Sequence, residues 1–508
     1  MPIRCIKFVI FLVLFAIGGN ATVSAEVVLA KLFSDHAVLQ RNQPIRIWGW
    51  SSPGEVISID FNGKSVSVTA DKNGVWEAWL APEPAGGPHD LQVSSNLTKT
   101  TIKKNDILIG DVWVASGQSN MEFPMTGWAN QPLKNGAAET ASANQPRIRL
   151  LKQEKITSNY PLPDISGTWS ICTPETVRDF SAIAYFFGKE IAEHQNVPIG
   201  LIQTAWGGTP AHSWISPAGI AEANLDSVYR DAGQIALDVA QAHAKQDLYA
   251  REDEEAKKEG KAPQRHPGIP SEALGAFTPG SLFNAMIAPY TRYSIKGVIW
   301  YQGETDRDPS RAPYYANVFP ALIQDWRMQW EEGDFPFLFV QISSFGAKTG
   351  DWGAVRDAQR RALSLRNTAM AVTLDVGSKQ VIHPPDKETV AGRLAACARG
   401  MVYNEDLQWE SPSFERIVVE GNTLRILLTH AAGLTAKESA TADFEVAGDD
   451  LVYHPAEAKI EKYNGAPTIV VSSKDVTAPL HARYGWTPYV DSYIYNAAGL
   501  PLGTFISQ

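Results

Sequence analysis

Hydrophobic and polar positions alternate with a period of two from Glu26 to about Lys104, in the runs IRIWGW, EVISIDFNG, KSVSVTADKNG, VWEAWL and HDLQVSS. The turn pairs Pro53-Gly54, Asn62-Gly63 and Asn73-Gly74 punctuate them, which predicts hairpins and a small antiparallel β-domain over 26–105. From Ile107 the period changes. Short apolar runs (VWVA, IGLIQTA, GVIWYQ, FLFVQIS, AMAVTLD) now alternate with helical ones (AIAYFFGKEIAEHQ, YYANVFPALIQDWRMQW, VRDAQRRALSL, KETVAGRLAACARGMVY). Unbroken apolar strands between helices imply a mostly parallel sheet covered on both faces, an α/β domain over 106–408. Inside it, about 218–274, an Ala-rich stretch followed by REDEEAKKEGKAPQRHPG reads as an insertion, its charge run a solvated helix end or mobile loop. Alternation returns in RIVVEGNTLRILLTH and TIVVSS, giving a second β-domain over 409–508.

The first 25 residues fit neither grammar. Arg4 and Lys7 precede an apolar run from Phe8 to Ile17 and then Val23-Ser24-Ala25, the layout of a cleaved signal peptide. The apolar core is shorter than the roughly 20 residues that span a bilayer. The mature chain is therefore expected to be secreted or periplasmic and free of the membrane. Only Cys172 and Cys397 remain after cleavage, too few for a disulfide scaffold, and they serve equally well as a pair or as two buried thiols. The formal charge of −10 falls to −12 without Arg4 and Lys7. An acidic chain with no basic run is a poor partner for nucleic acid and suits a neutral or weakly charged small molecule or polymer.

In open parallel sheets ligands bind beyond the carboxyl ends of the strands. After VWVA comes Ser116-Gly117-Gln118-Ser119-Asn120; after IGLIQTA, Trp206-Gly207-Gly208-Thr209; after GVIWY, Gln302-Gly303-Glu304; after AVTL, Asp375 and then His383. Singly, each has an ordinary structural use: a capping serine, a turn of glycines, a loop histidine. Ser119 also lacks a Gly-x-Ser-x-Gly elbow, Met121 standing where the second glycine would be. Together they supply what acyl transfer needs, a hydroxyl nucleophile and a neutral base to take its proton. The Ser119 amide, an amide of Gly207 or Gly208, and the Gln302 side chain could surround one oxyanion. Gln118, Asn120 and Glu304 would support them from behind. Glu304 and Asp306 as a glycosidase pair is the weaker reading. No His, Cys or carboxylate cluster has metal-ligand spacing, and neither metal nor cofactor is expected. Trp128, Trp206, Trp214 and Trp352 fall in or beside the rim loops, one or two of them candidates to stack on sugar.

The runs GQSNMEF, GGTPAHSW, VIWYQGETD and IHPPDKETVAGRLA, in this order and on this β, α/β, β layout, resemble the sialate O-acetylesterase branch of the SGNH (GDSL-like) hydrolases. The resemblance extends to the closing YIYNAAGLPLGTF and covers nearly all of the mature chain. It implies a flavodoxin-like three-layer core with a parallel sheet, flanked by N- and C-terminal antiparallel β-domains. It also implies a serine esterase that removes acetyl groups from sugar hydroxyls. By motif, Ser119 would be the nucleophile, His383 the base, and Gly207 or Gly208 with Gln302 the oxyanion donors. One departure stands out. Many relatives carry Asp three residues before the histidine, where this chain has Gln380. An amide oxygen stabilises imidazolium less than a carboxylate does. The orienting group is therefore open between Gln380, a backbone carbonyl, Asp375 and another carboxylate. The substrate would be an O-acetylated sugar or glycan, sialate-like or a plant polysaccharide fragment such as xylan or xyloglucan. The reading from another class is a silent core on a carbohydrate-binding protein.

Overall fold

The computed structural model describes residues 26–98, 101–262, 266, 274–436 and 443–507. The leader expected over 1–25 and part of the charged stretch lie outside them. At the centre, strands run side by side in the order Trp169–Cys172, Gln145–Lys152, Ile199–Ala205, Thr101–Gly117, Gly297–Tyr301, Phe337–Gln341 and Thr368–Val372. All neighbours are parallel except the first pair, which is antiparallel. Setting aside the two edge strands before Ile199–Ala205, the spatial order is 2-1-3-4-5. That is the flavodoxin-like winding, whose direction reverses at the first strand.

The central strands are buried along their whole length at Ile199–Ala205, Gly297–Tyr301 and Phe337–Gln341, because helices cover both faces of the sheet. Ala182–Gln195 and Lys387–Cys397 pack together on one face, and Ala312–Trp330 and Trp352–Arg361 on the other. The long helix Asp226–Lys258 carries the start of the charged run, 251–258, as helix instead of loop.

The expected break between 105 and 106 is absent. Thr101–Gly117 is a single strand: its first half pairs antiparallel with Gly86–Ser95 of the N-terminal sheet, and its second half is the first strand of the core. At the boundary Asp106 adopts φ 57°, held by Arg149 (2.7 and 3.1 Å) and His36 (2.7 Å). The C-terminal part is antiparallel throughout, with one four-stranded sheet built on Thr423–Thr429 and another on His481–Tyr484. Cys172 and Cys397 are both free and buried.

Candidate active site

Thr101–Gly117 ends at the switch point. Gly117 has φ +131°, and a Cβ there would lie 2.2 Å from the Tyr301 carbonyl oxygen, so only glycine lets the two strand ends meet this closely. The Gln118 amide donates to that same oxygen (2.9 Å), and the chain turns into Ser119–Glu122. This helix is a single turn, too short for a macrodipole beyond the effect of its own few amides. The Ser119 amide has no hydrogen-bond partner among the described residues.

His383 reaches Ser119 from the loop after Thr368–Val372, Nε2 to Oγ 2.9 Å. Its Nδ1 lies 2.8 Å from Gln131 Oε1. An amide oxygen only accepts, so Nδ1 carries the proton and Nε2 is left with its lone pair toward the serine hydroxyl. Trp128 stands edge-on to the imidazole, ring centroids 4.8 Å apart. Burial, and then the nearby Lys387 charge, push the His383 pKa down to about 4, which leaves it neutral at pH 7.

Gln131 replaces both expected orienting residues. Gln380 is exposed and accepts from Ser378 Oγ, with no hydrogen bond to the imidazole among the described residues. Asp375 forms a two-point bond with Arg393 (2.6 and 2.7 Å) and accepts from Tyr495 OH (3.3 Å). The loop holding Gln131 is fixed at several points. Trp128 and Gln131 exchange backbone bonds (3.0 and 2.9 Å), the Lys134 amide donates to Pro385 O (3.0 Å), and Lys134 Nζ pairs with Asp386 (2.8 Å). Asp386 in turn caps Lys387–Cys397 by accepting from the Thr389 amide (3.0 Å). Histidine and orienting loops are thus tied to each other twice, two and three residues beyond His383.

The expected oxyanion donors separate. Gly207 packs against Ser119, where a Cβ would meet Ser119 Cβ at 3.1 Å, but its amide donates to Glu122 Oε2 (2.7 Å). Gly208, at φ +79°, has an amide with no partner among the described residues. Gln302 is fully buried outside the cleft lining, and its amide nitrogen donates to Thr209 O (3.2 Å) and to Asp306 Oδ2. Asp306 also accepts from the Ala211 amide (2.9 Å), and burial pushes its pKa up to about 6. The Gln302 donor is consumed in holding the glycine loop, so two backbone amides, Ser119 and Gly208, are left open.

Behind the serine, Gln118 Oε1 accepts from the amides of Gly303 (3.3 Å) and Thr305 (3.1 Å). Buried Asn120 donates to Glu304 and to Ile382 O (3.2 Å), and accepts from Lys387 Nζ. Lys387 was invisible as a site residue in the sequence, since a lysine after Pro-Pro-Asp reads as the solvated start of a helix. The cleft over Ser119 holds about 550 Å³ and is lined by Trp128, Lys155, Gly208, Thr305, Arg307 and His383 among others. Trp214 and Trp352 are buried instead, which removes them as sugar platforms.

Residues 109–245 and 272–392 match the family described as carbohydrate esterase, sialic acid-specific acetylesterase. Sialate O-acetylesterase of Mus musculus is 27% identical over 98% of this chain and 97% of its own length. The Homo sapiens protein of that name is 28% identical over 91% and 88%. The crystal structure of a carbohydrate acetylesterase from Xanthomonas citri is 32% identical, covers 95% of this chain and all of its own, and superposes with a TM-score of 0.79. Fold and likeness together define a class, the carboxylic ester hydrolases that act on carbohydrates, and set the silent-core reading aside. Within that class, the chain belongs to the sialic acid-specific acetylesterase family.

Proposed function

We propose that this is an exported serine esterase that removes O-acetyl groups from an acidic sugar of the sialate type through an acetyl-serine intermediate. The observation that carries the chemistry is the 2.9 Å contact between Ser119 Oγ and the neutral Nε2 of His383, with Gln131 behind it. Nε2 takes the hydroxyl proton as Oγ attacks the acetyl carbonyl. The Ser119 and Gly208 amides receive the oxyanion, and the sugar oxygen leaves with the proton from His383. Water, deprotonated by the same imidazole, then releases acetate and restores Ser119.

Arg307 supports the acidic substrate. It lines the cleft, lies over Trp352 (5.3 Å) and donates through Nη1 to Glu304 O, and forms no ion pair among the described residues. The other cation of the cleft, Lys155, is paired with Glu122. A guanidinium without a carboxylate partner at the mouth of the cleft suits a sugar carboxylate. Arg311 is turned to Thr305 O (3.1 Å), and Arg356 is fully buried among backbone carbonyls, so neither competes for the role.

The test is acetate release. Ser119→Ala is expected to lose activity on an aryl acetate and labelling by a fluorophosphonate with its fold intact; retained activity overturns the mechanism. Across O-acetylated sialic acids, xylan and xyloglucan fragments, Arg307→Met is expected to raise KM on the acidic sugars alone. An equal effect on neutral fragments moves the substrate to plant polysaccharide.

A further inference from the structure

Lys387 is buried, with 1% of its surface exposed, and its ammonium lies 4.8 Å from the Phe123 ring and 5.8 Å from that of Tyr301. It forms no ion pair among the described residues, and its hydrogen bond goes to a neutral amide oxygen, Asn120 Oδ1. A buried ammonium without a carboxylate partner is expensive, and an apolar side chain of similar length would usually be at least as stable there. Stability therefore does not explain the lysine.

Its connections point elsewhere. Asn120 follows Ser119 directly, and Ile382 precedes His383. The bond from Lys387 fixes the Asn120 amide so that its nitrogen faces Glu304 and the Ile382 carbonyl at once. One side chain thus joins the nucleophile turn, the loop after Gly297–Tyr301 and the histidine loop. We propose that Lys387 is a positioning residue, which acts through Asn120 to hold Ser119 and His383 in reacting register. The proposal rests on Ser119 being the nucleophile.

Burial lowers the Lys387 pKa to about 7, and Glu304 and Asp386 oppose that shift. Its charge in turn helps to lower that of His383. The other charged groups around the imidazole are Glu122 on the nucleophile turn, Lys155, Glu304 and Arg307 along the cleft, and the Lys134–Asp386 pair.

The test compares Lys387→Met, Asn120→Ala and the double variant in the full chain on an aryl acetate. Lys387→Met is expected to keep its melting temperature and KM, to lower kcat by about tenfold to a hundredfold, and to move the acid limb of kcat/KM to higher pH. The double variant is expected to match Asn120→Ala, since the lysine acts through the asparagine. Fluorophosphonate labelling separates the two levels of inference. If wild type is not labelled at Ser119, the esterase mechanism fails. If wild type and Lys387→Met are labelled at equal rates, or if the two losses add in the double variant, the positioning role fails.

Discussion

Gln131 and Gln302 are two amides close to the same serine, and they do different things. Gln131 is half-buried on a loop pinned to the histidine loop, and its oxygen meets Nδ1 of His383. Gln302 ends a core strand, is fully buried, and spends its nitrogen on Asp306 and Thr209 O. A side chain at the end of a parallel strand is thus not necessarily offered to the substrate. Where a carboxylate lies buried alongside, satisfying it takes precedence, because an unpaired buried charge costs more than one catalytic hydrogen bond returns. The residue that serves the imidazole comes from outside the strand ends altogether.

This comparison can be broken most sharply at Gln131. Gln131→Leu is expected to lower kcat/KM by about a hundredfold or more, since the imidazole loses the acceptor that fixes its tautomer, with little change in melting temperature. Steady-state kinetics and a thermal melt check both halves. Gln131→Glu sharpens it in the other direction. A carboxylate at Nδ1 favours imidazolium, so the acid limb of kcat/KM should rise from its low position. In the native enzyme the sign runs as the burial of His383 dictates: activity needs the neutral ring, persists below its ordinary pKa of 6.5 and is lost as pH falls through about 4. A native acid limb at 6.5 or above would contradict the buried imidazole.

Gln302→Leu is expected to act on stability, by about 1–3 kcal/mol, because Asp306 loses a donor inside the core. Turnover per folded molecule should fall less than in Gln131→Leu; the reverse order would return Gln302 to the oxyanion site. The smallest effect belongs to Gln380→Ala. With its side chain exposed and bonded to Ser378, kcat/KM should stay within about twofold of the wild type, as for other surface changes away from the site.

Much of this was legible in the chain. The apolar runs and their helical partners mark the five parallel strands from Thr101–Gly117 to Thr368–Val372 and the helices that cover them, but not the edge strands Gln145–Lys152 and Trp169–Cys172. The strand ends point to Ser119, the pair Gly207-Gly208 and His383. What stayed hidden has one physical cause: a contact that no local pattern encodes. Gln131 lies 252 residues from its histidine, in a loop with no periodicity. Lys387 has the local sequence of an exposed helix start, and only the packing of Phe123 and Tyr301 against it reveals the burial. Gly207 and Gly208 are indistinguishable as a pair of letters, and the Glu122 side chain alone decides which amide is open. The strand that crosses the expected boundary at 105 was hidden for a related reason. A change of period marks a change in what covers a strand, and one strand can cross it without a break.

That unbroken strand bears on how the protein can be cut. Thr101–Gly117 begins in the N-terminal sheet and ends two residues short of Ser119, so the front β-domain is not a detachable accessory. Trimming the chain at the apparent boundary would strip the partner strand Gly86–Ser95 from the element that carries the nucleophile turn. For this chain, a shortened esterase is expected to need the front sheet from its first strand, and a binding module grafted in its place would have to supply a strand of the same register.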